Sequence, residues 1–329
     1  MSVSEEFTIQ TVKFIHSLLV SIPQYALGSL SAIAILGATP ASGFREKFRW
    51  IFLCLGAPLE GLFYYCNVKN DAIIMSAYWL ELDHFVEDNS NRTGGGVTIL
   101  NYRLFGWHAK QMELTSEQEE CMKVCVAEAS ILDRLSYVVS IYYIVVGIFA
   151  GIVRAIGPCI KEEWPYIPLV LAWTLPAICR KAVGGIVVVH NPNKRIVGKI
   201  TISNSPKDRR FNIIETGLFS IIVPWLAVIL AYFTNPVGYR CRSRFLTVLC
   251  VVWTFNNLVS LLFNIMRIRG KNIRFLVNFY FCISGAFVVF MLLSLVLLSN
   301  ARPLWVKVFG DYCADPTTPC FSMSDIVNK

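Results

Sequence analysis

The chain has 329 residues, 55% of them hydrophobic and only 16% charged, with a formal net charge of +8. A soluble domain carries about 25% charged residues, so this deficit, set against repeated long apolar runs, excludes an ordinary soluble fold and indicates a polytopic membrane protein. The positive balance is not a nucleic-acid footprint: most Lys and Arg cluster beside apolar runs, as membrane-flanking loops do, and the expected partner is the lipid bilayer.

The opening residues, Met1 to Glu6, lack the basic region of a signal peptide, and no lipid anchor is expected. The first apolar run, 14–38, is interrupted by His16, Ser21, Pro23 and Gln24. Gly28 and Ala32, four apart, suit close helix packing. A linker with Arg45, Lys47 and Arg49 leads to a short second run, 48–65, which holds Pro58 and Glu60. The apolar stretch 72–82 is too short for an ordinary span, leaving a re-entrant, interfacial or packed segment.

Residues 83–135 form the one sizeable polar region, with nine acidic and five basic residues. Ser116-x-x-Glu119 reads as a capping box. Met122, Cys125, Ala129 and Leu132 then recur at three-and-four spacing. This predicts an amphipathic helix running into the third span, 137–153. Gly147 and Gly151 give that span a G-x-x-x-G, read as packing within the bundle, with a homo-oligomer face as the alternative.

The fourth run, 164–189, carries Pro165, Pro168 and Pro176 with Arg180 and Lys181, so a bent or discontinuous helix is expected. The fifth, 212–234, has Glu215 in its first turn and Pro224 in its middle. The sixth and seventh, 245–266 and 275–298, are each long enough for a bilayer, at roughly 33–36 Å. The eight-residue basic link between them makes them an antiparallel hairpin.

The fold class predicted is therefore all-α: a polytopic helix bundle of about seven spans, eight being the alternative count, with an amphipathic helical insert before the third. It divides into 1–82 (two spans plus the short apolar segment), 83–135 (acidic insert), 136–298 (five spans) and 299–329 (polar tail). The links 190–211 and 267–274 carry ten Lys or Arg together, against three in 235–244. The positive-inside bias puts the two heavy links in the cytosol and the tail outside. Cys313 and Cys320, which bracket a Pro-containing tail loop, are then a candidate disulfide pair in an oxidising compartment. The N-terminal half conflicts with this. Seven spans would turn Arg45, Lys47 and Arg49 outward and leave the sequon at Asn91 unused in the cytosol. An eighth crossing at 72–82 repairs the charges but not the sequon.

Glu60 and Glu215 are the intramembrane acids, candidate groups for a polar path because a carboxylate in a bilayer needs a cavity or a partner. Glu60, just past Pro58, is read as the deeper of the two. Asn257, Ser260 and Asn264 share one face of the sixth helix, with Asn256 adjacent and Asn278 on the seventh. They read as interhelical hydrogen-bonding groups or as a pocket lining. On a helix Glu81, His84 and Asp88 share a face at metal-ligand spacing. A di-iron centre needs a second such pair, so a solvated helix end is the reading taken, and no metal or cofactor is expected. Asn235-Pro-Val-Gly-Tyr239 matches the short N-P-x-x-Y pattern of rhodopsin-like receptors, but two spans follow it, and the match is read as a Pro turn. No nucleophile elbow, zinc-protease motif or phosphate-binding glycine loop is present, and no family is recognised. In topology alone the predicted chain resembles the chemoreceptor ligand-gated channels. The function predicted is a transporter or channel-like protein moving a small solute or ion, with a ligand-sensing receptor second and a membrane scaffold or enzyme third.

Overall fold

The structure is a computed structural model that describes residues 44–63, 71–87, 98–99, 112–156, 167–202, 209–233, 239, 241–266 and 271–299. The 14–38 run, Gly28, Ala32, Asp88, Asn91, residues 235–238, Cys313 and Cys320 lie outside these.

The described chain is mostly helical, and five of its helices are long and apolar enough to cross a membrane. They are α5 (Ile131–Ile156), the compound helix α6–α7 (Ile167–Val170 and Leu175–Gly184), α8 (Arg209–Phe233), α9 (Cys241–Met266) and α10 (Lys271–Ser299). The expected seven spans are not shown among the described residues. The second apolar run is split into α1 (Phe44–Gly56) and α2 (Pro58–Leu62), neither of spanning length. Along α5 and α10 large apolar side chains remain exposed from end to end, among them Leu132, Tyr142 and Phe149 on one and Phe275, Ile283 and Phe290 on the other. Continuous apolar exposure on this scale suits contact with lipid tails rather than water.

Proline and capping chemistry explain the breaks. Pro58 has no backbone N–H and starts a new helix after Ala57, whose backbone is non-helical at φ −130° and ψ 85°. In the fourth span a 3₁₀ segment, Leu171–Thr174, joins α6 to α7, as the prolines foreshadow. That span ends at Gly184, short of the expected 189, because Gly185 takes a left-handed cap at φ +60°. The β-branched run behind it becomes a strand.

Strands are the part not foreseen by an all-α reading. α3 (Ala72–Tyr78) is followed by a short 3₁₀ turn and by β1 (Phe85–Glu87), β2 (Thr98–Ile99) and β3 (Met112–Glu113). Then come α4 (Ser116–Val124), β4 (Val126–Glu128), β5 (Ile186–Val188) and β6 (Ile200–Ile202). One sheet has the order β2-β1-β6-β3, with β1 and β6 parallel in the register Phe85↔Ile200 and Val86↔Thr201. A second pairs β4 with β5, Val126 opposite Val188. The acidic insert and the basic link after the fourth span are thus hydrogen-bonded together and share one side of the bundle. The 72–82 segment belongs to this layer: Ser76, fully buried, donates to the Met122 carbonyl at 2.8 Å.

The expected amphipathic helix is cut short. Its capping box is formed by Thr115 and Gln118, one residue before the pair read from the sequence. The helix ends at Val124, and Met122 and Cys125 are buried while Leu132 is exposed. α5 starts afresh, because Ser130 and Asp133 cap each other: the Ser130 hydroxyl and amide both reach Asp133 Oδ2, and the Asp133 amide donates back to Ser130 Oγ.

Candidate functional site

The break between α1 and α2 frees backbone groups in the apolar interior, where each unmet group is costly. α9 meets them with one face of polar side chains. Trp253 Nε1 donates to the Leu55 carbonyl at 2.5 Å. Asn256 Nδ2 donates to the Gly56 carbonyl at 2.7 Å. On the far side of Pro58, the Leu59 amide donates to Asn257 Oδ1 at 3.0 Å. One turn on, the Ser260 hydroxyl donates to Glu60 Oε1 at 2.6 Å, and Asn264 Nδ2 reaches the same oxygen at 3.3 Å.

Backbone chemistry fixes how the two central amides are turned. A carbonyl only accepts and an amide N–H only donates, so Asn256 must show its nitrogen to Gly56, and Asn257 its oxygen to Leu59. Their other ends tie in neighbouring helices. Asn256 Oδ1 accepts from the Tyr280 hydroxyl at 2.7 Å, and its Nδ2 also reaches Ser284 Oγ at 2.5 Å, both on α10. Asn257 Nδ2 donates to the Ser220 carbonyl of α8 at 3.3 Å. Asn256, Asn257 and Ser260 are all fully buried. These residues act as surrogate backbone for the broken helix.

The fourth span's 3₁₀ segment comes to the same place. Trp173, fully buried, meets Trp253 edge to face with ring centroids 6.1 Å apart. The Trp173 Nε1 donor has no hydrogen-bond acceptor among the described residues. Trp253 of α9 therefore touches both interrupted helices, the fourth span through the Trp173 ring and α1 through the Leu55 carbonyl. α1 is also pressed backbone to backbone against α10: a Cβ on Gly56 would strike the Phe281 carbonyl oxygen, and one on Gly285 the Phe52 carbonyl oxygen.

Asn257, Ser260, Asn264 and Glu60 are brought together. The partners of Glu60, Ser260 and Asn264, occupy the last two turns of α9. Glu60 is half-buried. Among the described residues no hydrogen bond or ion pair reaches its Oε2. Glu215 does not join the site: it is exposed on α8. Asn278 is half-buried on α10 and makes no side-chain hydrogen bond among the described residues. Gly147 packs inside the chain, where an added Cβ would strike the Pro168 ring; Gly151 lies one turn further along α5.

Glu81 and His84 do not share a helical face. α3 ends at Tyr78, a 3₁₀ turn covers Leu82–His84, and a strand begins at Phe85. The Glu81 amide donates to Asn193 Oδ1 at 2.7 Å, and His84 Nδ1 lies 3.4 Å from the Gly198 carbonyl. Both serve the contact between this turn and the basic link. No cluster of three metal-binding side chains occurs among the described residues.

Trp253, Tyr280, Ser284 and Ser220 are not legible as site residues in the sequence, where Asn256 reads only as a neighbour of the polar face. Trp253, Asn256, Asn257, Ser260 and Asn264 do follow a three-and-four spacing. Nothing local says that Gly56 and Pro58 lie opposite them.

Five apolar helices of spanning size, exposed apolar faces and a polar layer on one side define a multi-pass membrane protein associated with the lipid bilayer. No family model, curated protein or solved structure matches this chain.

Proposed function

We propose that the protein is a transporter or channel-like protein that moves a small solute or ion along the α2–α9 seam, with Glu60 as its acidic group. The supporting observation is the broken helix α1–α2, interrupted inside the bundle and bonded by a column of polar side chains from α9. Secondary transporters build their sites from interrupted helices, because unwound backbone and half-helix ends supply fixed polar groups where lipid supplies none. The 3₁₀ break in the fourth span, meeting the first through Trp173 and Trp253, adds a second interrupted element. Glu60 then supplies the single negative charge of the seam, held by Ser260 and Asn264 and half open.

The test is flux in proteoliposomes, comparing wild type with Glu60→Gln and Ser260→Ala. Glu60→Gln should cut ion or proton flux at least tenfold with the protein still folded. Ser260→Ala should have a smaller effect, because it removes one of two donors to the carboxylate. Full flux in Glu60→Gln, or no flux of common ions and small solutes in wild type, would sink the proposal. The receptor alternative rests on a count of seven helices and an external tail; five helices of spanning size occur among the described residues, and the tail lies outside them.

A further inference from the structure

We infer that α1 and α2 form a re-entrant hairpin: the chain enters the membrane from the side that carries the two small sheets, turns at Gly56–Pro58, and leaves by that same side. The inference is independent of what the protein transports.

The inward arm is α1. The sheet side is fixed on each spanning helix: α8 begins a few residues after β6, α9 ends toward it, and α10 begins from it. The Arg49 guanidinium stacks on Phe275, in the second turn of α10, 5.6 Å from its centroid. Trp50 meets Trp79 at 4.8 Å between ring centroids, and the Trp79 carbonyl accepts from Asn193 of the basic link. From there α1 runs inward against α10 and crosses it at Gly56, which lies against Phe281 and Gly285. Cys282 Sγ contacts the Arg49 carbonyl at 3.5 Å, and three residues on, Phe52 meets Gly285. The tip, Leu55 and Gly56, is bonded by Trp253 and Asn256 from the middle turns of α9.

The outward arm is α2, which runs along α9 toward its sheet-side end. Leu59 meets Asn257, and Glu60 meets Ser260 and Asn264. Phe63 packs with Ile213, Leu261 and Ile265, at the sheet-side ends of α8 and α9. α3 then lies in the sheet layer itself.

This topology removes the charge conflict of the N-terminal half. Arg45, Lys47 and Arg49 join the ten Lys and Arg of 190–211 and 267–274 on one side, thirteen against the three of 235–244 on the other. The positive-inside bias makes the sheet side cytosolic. Glu60 is then approached from the cytosol.

The test is trypsin added to sealed vesicles of each orientation containing the wild-type protein, with cleavage sites mapped by mass spectrometry. Cleavage after Arg45, Lys47 or Arg49 is expected in the preparation that also exposes Lys194 and Lys199, and cleavage after Arg240 or Arg242 in the opposite one. Cleavage at 45–49 together with Arg240 overturns the hairpin, since α1–α2 would then cross. If helix α1 resists trypsin in both, Arg45→Cys with a membrane-impermeant maleimide decides. One adduct beyond the wild-type count from the Lys194 side supports the hairpin, and its gain only from the Arg240 side refutes it.

Discussion

Asn256→Leu is the sharpest test of how the broken helix is held. Leucine keeps the γ-branched shape of asparagine and removes all of its hydrogen bonds. Three are lost: to the Gly56 carbonyl, to Ser284 Oγ and from the Tyr280 hydroxyl. Side-chain hydrogen bonds between membrane helices average about 0.6 kcal/mol, so the loss is about 2 kcal/mol. That is roughly a 30-fold shift in the folding equilibrium. Unfolding in mixed micelles, titrated with a denaturing detergent and read by tryptophan fluorescence, measures it. Tyr280→Phe alone should cost about 0.6 kcal/mol, and nothing further once Asn256 is leucine, because the acceptor has gone. Asn256→Leu within about 0.3 kcal/mol of wild type, or a Tyr280→Phe cost unchanged in the double variant, would refute the view that Asn256 seals the break.

Other outcomes follow from the same contacts. Gly285→Ala should destabilise by about 1–3 kcal/mol, because its methyl would lie on the Phe52 backbone, which cannot rotate away as a side chain would; thermal unfolding in detergent reads this. Thr115→Ala should cost about 1 kcal/mol, seen as faster amide exchange over 116–124 and not over α9, since it removes the cap of α4 alone. Burial raises the Cys125 thiol above its ordinary range, with the neighbouring Cys121 adding to the effect. The thiolate is the reacting form, so alkylation of Cys125 should be slow at neutral pH and gain rate only as alkali is added. The raised value also means that the unfolded chain ionises first. Stability from this group is complete below the ordinary thiol range and declines as pH rises through it. Rapid labelling of Cys125 at pH 7 in the folded protein would contradict its burial.

The sequence by itself determined the membrane class and the placing of the third to seventh apolar helices, because apolar length against bilayer thickness is a local property. α8, α9 and α10 lie within a few residues of the runs that foretold them. It also determined the break at Pro58, through a missing N–H, and the polar face of α9, through helical spacing. Tertiary structure alone decided what those features are for. Asn257 and Leu59 are 198 positions apart, and only packing tells an amide which freed backbone group it will meet. The parallel pairing of Phe85–Glu87 with Ile200–Ile202 joins two stretches that each read as loop, since three-residue strands carry too little periodicity to announce themselves. The second apolar run likewise reads as a short span until its two ends are seen against the same ends of α8, α9 and α10. Hydropathy measures how much chain a bilayer will accept, and it holds no record of the side by which that chain departs.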